Sequence, residues 1–159
     1  MSMSRLVGAA GALTVAGILA VAVIGDFEGI RTRAYRDSIG VPTVCFGETR
    51  GVKMSDHYTI DQCKEMLGTA LIEFEAGMVR CLKNPAAIPD KVYVASLSLA
   101  YNIGIGAFCR SSIRRYLNEG NYAAACGRFP AFNKAGGRTL KGLVYRRGEE
   151  KKLCLEGLE

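Results

Sequence analysis

Residues 27–47 read FEGIRTRAYRDSIGVPTVCFG. Glycine, threonine and aromatic residues are frequent in this stretch, and short alternating runs such as Val41 to Phe46 read as strands interrupted by turns. A small sheet is expected here. Two carboxyl groups frame its first half: Glu28, followed by Gly29, and Asp37, which lies in a turn-prone segment. Both reach one cleft if the first ends a helix and the second begins the sheet. Thr43 adds a hydroxyl shortly after Asp37.

Upstream, Leu6 to Gly25 reads LVGAAGALTVAGILAVAVIG, without a charge. Its length falls in the range of a bilayer span, roughly 17 to 25 residues. Arg5 precedes it, and Asp26 and Glu28 follow at once, so the positive-inside bias puts the amino terminus in the cytoplasm and the body outside. Residues 1–25 are therefore expected to form a signal-anchor or transmembrane segment, and residues 26–159 one catalytic domain.

Downstream, Thr59 and Gln62 make a capping-box signature, after which apolar residues recur at helical spacing from Ile60 to Cys81. A long helix over about 60–82 follows, and its apolar face is core. Asn84, Pro85 and Pro89 punctuate a turn before a buried helix over Lys91–Tyr101, and the rest reads as helices broken at Gly104, Gly106, Gly120, Pro130, Gly136 and Gly137. The fold class is α+β, a small strand-rich lobe and a larger helical lobe joined by the long helix. At 159 residues the chain is too short for two domains of usual size, which also excludes a solenoid or large barrel.

All six cysteines, Cys45, Cys63, Cys81, Cys109, Cys126 and Cys154, follow the apolar segment and are widely spaced. With a single histidine, His57, and no closely spaced thiols, no metal site is expected; structural disulfides in an oxidising compartment are. Cys45 stands in the sheet lobe just before the helix bearing Cys63, and Cys126 and Cys154 lie in consecutive helical segments, which leaves Cys81 with Cys109. The net charge of +6 suits an anionic wall or membrane surface. No nucleic-acid partner is expected, because no basic stripe is interleaved with aromatics. The Gly-x-Gly at 104–106 lacks a preceding strand and reads as a turn.

Hydrolysis of a glycosidic bond needs a carboxylic acid that donates to the leaving oxygen and a carboxylate that handles water on the other face of the sugar. Glu28 and Asp37 are the candidates. The stretch quoted above resembles the catalytic region of phage-type lysozymes, the T4 lysozyme family: Glu28-Gly29, then Tyr35-x-Asp37, then Gly40, Thr43 and Gly47. Residues 98–113, SLAYNIGIGAFCRSSI, resemble the family's helix and turn beyond the cleft, and 132–154, FNKAGGRTLKGLVYRRGEEKKLC, its carboxy-terminal signature.

The resemblance implies a monomeric, cofactor-free endolysin that cleaves the β-1,4 bond from N-acetylmuramic acid to N-acetylglucosamine in peptidoglycan with inversion, lysing the bacterial host. Glu28 would be the general acid, Asp37 would position or deprotonate water, and Thr43 would assist. Asn102 falls where the family often has an amide near the cleft; a helix-end cap is the alternative. Arg146 and Arg147 are expected in buried ion pairs with Glu149 or Glu150. Two residues depart from the pattern: Glu48 stands where relatives carry His, open to pairing with Arg50 or to crowding Asp37, and Phe132 stands where tryptophan is common. A lytic transglycosylase and an inactive wall-binding module are the competing readings.

The small residues of the apolar segment, among them Gly8, Gly11, Gly17 and Ala20, resemble the signal-arrest-release class of phage endolysins. This implies an anchor in the host inner membrane through residues 6–25, facing the periplasm, and a soluble periplasmic form after release. Cleavage after Ala22 and secretion is the alternative.

Overall fold

The computed structural model describes residues 3–159. Its elements are α1 (Val15–Glu28), β1 (Arg31–Arg36), β2 (Pro42–Cys45), α2 (Ile60–Val79), α3 (Asp90–Ile103), α4 (Ile105–Cys109), α5 (Ser112–Asn118), α6 (Tyr122–Gly127), β3 (Lys134–Ala135), β4 (Arg138–Thr139) and α7 (Lys141–Glu156). α3 is the axis of the helical lobe. Val92 to Ala100 are buried without interruption, and α1, α2 and α7 pack around them. β1 and β2 form an antiparallel hairpin whose register pairs Tyr35 with Thr43 and shifts between Arg31 and Tyr35. Residues 56–58 join the other edge of β1 through Ala34 N–H to Asp56 O and Tyr58 N–H to Thr32 O.

The expected signal anchor is not what the apolar segment builds. Among the described residues no helix is long and apolar enough to cross a membrane. Residues 6–14 instead turn back on themselves: Val7 bridges Leu13, and Gly11 adopts a φ of 77° that favours glycine. Thr14 then caps α1, accepting from Gly17 N–H. α1 is 14 residues long and contributes Ala16, Ala20, Val21 and Ile24 to the core, with Leu6 buried beside them. Gly17 serves close packing, since a Cβ there would stand 2.0 Å from Leu6 O. The inner-membrane partner, the transmembrane character and the tethered localisation expected from this segment are corrected accordingly. Hydropathy measures transfer out of water, and one side of this segment, Leu6, Ala16, Ala20, Val21 and Ile24, leaves water by entering the protein's own core, while Leu13, Val15 and Ile18 stay exposed.

A polar cluster fixes the segment's start. The Ser4 hydroxyl and Arg5 N–H both donate to Glu75, a carboxylate of α2 that is 2% exposed, and Tyr93 Oη donates to it from α3 at 2.6 Å. The Arg5 guanidinium reaches Pro85 O, Ile88 O and Asp90, and lies over the Tyr93 ring.

α2 begins with the capping box of Thr59 and Gln62 and ends at Val79, somewhat short of the expected boundary. The chain near Gly136 and Gly137 is not helical: both glycines have positive φ and turn the short hairpin of β3 and β4. The disulfides join Cys45 to Cys63, Cys81 to Cys109 and Cys126 to Cys154. The first ties β2 to α2, and Cys45 itself has φ 59°, a conformation costly for a residue with a side chain.

Candidate active site

Glu28 is the last residue of α1, and Gly29, at φ 71°, turns the chain from that helix into β1. Its side chain is 26% exposed, and its Oε1 accepts a 2.7 Å hydrogen bond from Arg146 Nη1 on α7. Arg146 is itself buried. It donates through Nε to Glu150 at 3.2 Å and through Nη2 to Ser98 O, and its guanidinium lies over the Phe27 ring. The setting of Glu28 is thus an ion pair with a buried arginine.

Behind Arg146 lies a fully buried pair. Arg147 Nη2 donates to Glu150 Oε1 at 3.0 Å, while Arg147 Nε and Glu150 Oε2 meet at 2.7 Å off the hydrogen-bond direction and are held there by charge. Ser98 Oγ donates to the same carboxylate at 2.6 Å. Burial pushes Glu150 up from the usual carboxylate range, opposed by Arg147, the Ser98 hydroxyl and Arg146. It also lowers Arg147, against the pull of Glu150. Two cations thus face two carboxylates, Glu150 and Glu28, and the cluster balances. Of the partners expected for the paired arginines, Glu150 is used, whereas Glu149 is exposed.

Asp37 sits at the turn between β1 and β2, half-buried. Its Oδ1 accepts from Ile39 N–H at 3.0 Å and Val41 N–H at 2.9 Å, an Asx-type turn closed by Gly40 at φ 85°. Thr43 is 4% exposed and donates its hydroxyl to Val41 O at 2.9 Å. Asp37 and Thr43 therefore hold opposite ends of one residue, which couples their positions. Among the described residues, Glu28 Oε2 and Asp37 Oδ2 have no hydrogen-bond partner.

Asn102 is exposed in the last turn of α3, and its side chain makes no hydrogen bond among the described residues, so it does not cap the helix. Its neighbour Tyr101 carries information the sequence did not disclose. Its ring packs against that of Phe74, 4.7 Å between centroids; burial raises its phenol first, and the charges of Glu28 and Glu48 raise it further against the pull of Arg146. Glu48 does not crowd Asp37. Its Oε1 accepts from Thr49 N–H and Arg50 N–H, with Arg50 Nε at 3.8 Å. Phe132 is half-buried and gives its carbonyl to Arg147 Nη1. The link from Arg146 to Glu28 was missed because the two lie far apart in the chain; the signal was an arginine pair in an otherwise buried helix face. Among the described residues, no group of His, Cys, Asp or Glu is arranged to hold a metal ion.

The sequence pattern of the family described as phage lysozyme matches residues 25–150. A SAR-endolysin of Bacteriophage PS119 is 35% identical over 92% of this chain and 89% of its own length. A SAR-endolysin of Enterobacteria phage P21 is 34% identical over 98% and 97%. Among solved structures, a mutant of P22 lysozyme superposes with a TM-score of 0.79 at 29% identity, covering 96% of this chain and 99% of that one. The likeness extends through the lobe of β1 and β2, the long helix and the ion-paired α7, so the chain belongs to the phage lysozyme family and stands beside its SAR-endolysins.

Proposed function

We propose that this lysozyme-type hydrolase of peptidoglycan cuts the β-1,4 bond between N-acetylmuramic acid and N-acetylglucosamine with inversion, Glu28 serving as general acid and Asp37 as general base. One observation carries the assignment: each carboxyl group is held by one oxygen and presents the other. Glu28 is held by Arg146 and Asp37 by two backbone N–H groups. A fixed carboxyl with a free oxygen is what proton transfer in a defined direction requires.

In the reaction, protonated Glu28 gives its proton from Oε2 to the glycosidic oxygen as the bond to the anomeric carbon breaks. Asp37 Oδ2 accepts a proton from the water that attacks that carbon from the opposite face. The Thr43 hydroxyl, anchored on Val41 O, offers its lone pairs to the same water. The cycle leaves a proton on Asp37 and none on Glu28, and exchange with solvent resets both. Host lysis follows from loss of the wall.

The test is digestion of purified peptidoglycan by the parent and by Glu28→Gln, read by mass spectrometry. Reducing muramic ends from the parent, and none from the variant, are expected. Anhydro-muramic ends would replace the hydrolytic reading by an intramolecular transglycosylation. Absence of any cleavage by the parent would leave a wall-binding module.

A further inference from the structure

The helical lobe is unevenly charged. Between Asp90 and Glu149 the chain carries ten lysines and arginines and a single acid, Glu119. Lys91, Arg115, Arg146 and Arg147 are paired with carboxylates, whereas Arg110, Arg114 and Arg128 have no ion pair among the described residues. These three gather at the turn from α4 into α5. Arg114 Nε donates to Cys109 O at 2.7 Å, and Arg128 Nε, reaching from the end of α6, donates to Ser112 Oγ at 3.1 Å. Arg110 lies in the turn itself, its Nη1 3.3 Å from where a Cβ on Gly106 would stand. The two anchors are three residues apart, so at most roughly 11 Å of chain separates them. The turn is fixed as well: Ser111 Oγ donates to Phe108 O and accepts from Arg114 N–H, and Cys109 is bound to Cys81.

Arg114 and Arg128 are each held by Nε alone, and their Nη1 and Nη2 groups have no partner among the described residues. A guanidinium anchored in this way presents its remaining donors as a fixed fork, the geometry that grips phosphate oxygens in pairs. Two such forks on one rigid turn suit a ligand with charges in succession, and a phosphodiester chain carries a permanent charge at every repeat. Nucleic acid has that backbone too, but it is gripped through exposed aromatic platforms. Here Phe108 and Phe129 are buried, and Tyr116 and Tyr122 pack against the core. We propose that Arg114 and Arg128, with Arg110 beside them, bind phosphodiester-linked glycan polymers of the cell envelope at a site separate from the residues assigned to hydrolysis. Such a site retains the hydrolase at the wall between cuts.

The test measures binding of the full chain by titration calorimetry to three soluble polymers of matched charge: poly(glycerol phosphate), hyaluronate with carboxylates only, and oligo-deoxythymidylate. The parent is expected to bind poly(glycerol phosphate) about tenfold more tightly than either of the others. Arg114→Gln and Arg128→Gln should each lose about tenfold and lower the slope of log affinity against log salt by roughly one. Arg114→Lys should fall between, since it keeps the charge without the fork. Lys53→Gln, the same charge change at an exposed site in the strand lobe, should lose less than about twofold. Hyaluronate bound as tightly as the phosphate polymer, tighter binding of the oligonucleotide, or an equal loss in Lys53→Gln overturns the site. Phosphate-free peptidoglycan should be cut by Arg128→Gln at the parental rate; a lower rate puts Arg128 on the hydrolysed glycan and overturns the separate site. Thermal unfolding checks each variant. Arg128 is exposed and bonded only to a hydroxyl, so Arg128→Gln carries the test if Arg114→Gln is not folded. Affinity is read without turnover, so its outcome is independent of the roles given to Glu28 and Asp37.

Discussion

Replacing Gly17 by alanine tests how residues 6–25 are used. In an isolated helix or a bilayer the change is harmless or favourable, since alanine in a helix interior is better than glycine by roughly 0.5–1 kcal/mol. In this fold the added Cβ would lie 2.0 Å from Leu6 O and 2.9 Å from Leu6 C, both backbone atoms, and 3.0 Å from Leu13 Cδ2. The hairpin of residues 6–14 must retreat. Uncovering Leu6, now 1% exposed, costs about 1.5–3 kcal/mol, and loss of the 2.9 Å bond from Thr14 N–H to Leu6 O about 1 kcal/mol more. After the helix-propensity gain, a net destabilisation of about 1.5–3.5 kcal/mol is expected. Gly68→Ala is the internal control. It too lies within a helix, but its Cβ would meet only side chains at 4.0 Å, so about 0.5–1 kcal/mol of stabilisation is expected. Urea unfolding of the two variants with disulfides intact provides the measurement. If both move stability in the same direction, the close approach of α1 to the Leu6 backbone is refuted.

Asp37→Ala should lose roughly 10²–10⁴-fold in turnover of peptidoglycan while the protein stays folded, because the lost contacts are two turn hydrogen bonds; near-parental hydrolysis with the same product contradicts the general-base role. Arg146→Met should destabilise by about 3–5 kcal/mol, since it leaves Glu150 with one cation and removes the hold on Glu28; a stability equal to the parent's would show that the pair contributes orientation only. Tyr93 links stability to pH: burial, then the hydrogen bond to Glu75 and its charge, raise the phenol above the usual tyrosine value of about 10. Above that pH the unfolded chain has released the proton and the folded chain still holds it, so stability falls as pH rises. Melting temperatures between about pH 8 and 11 should show this decline, reduced in Tyr93→Phe; an identical slope in the variant assigns it elsewhere.

The lobe of β1 and β2 and the capped start of α2 were legible because their signals are local: alternation, turn glycines, and a threonine with a glutamine three positions on. The hairpin of β3 and β4 was not, because two-residue strands are too short for a period to register. The candidate acids were legible as residue types, but the way they are held was not. Glu28 depends on Arg146, and a contact across the whole chain leaves no periodic trace; Asp37 depends on a local turn back to Val41, whose place the sequence showed but whose hydrogen bonds it did not.

The apolar segment shows why hydropathy alone could not decide. Its alanines and glycines satisfy two solvents equally: a bilayer accepts them because they carry no polar side chain, and a protein core accepts them because small residues let backbones approach. The deciding features are polar and lie at its edges. Thr14 supplies a helix cap within the segment, and Ser4 and Arg5 are matched by a buried carboxylate, Glu75, whose hydrogen-bond donors among the described residues are these two and Tyr93. An unpartnered carboxylate at that depth is costly, so Glu75 favours the state in which residues 4–5 are docked. Docking in turn sets the start of α1, and the end of α1 is Glu28. The amino-terminal segment is thus part of what places the candidate acid against Arg146, by a continuous path of contacts from Arg5 through Thr14 and the helix to the carboxyl group.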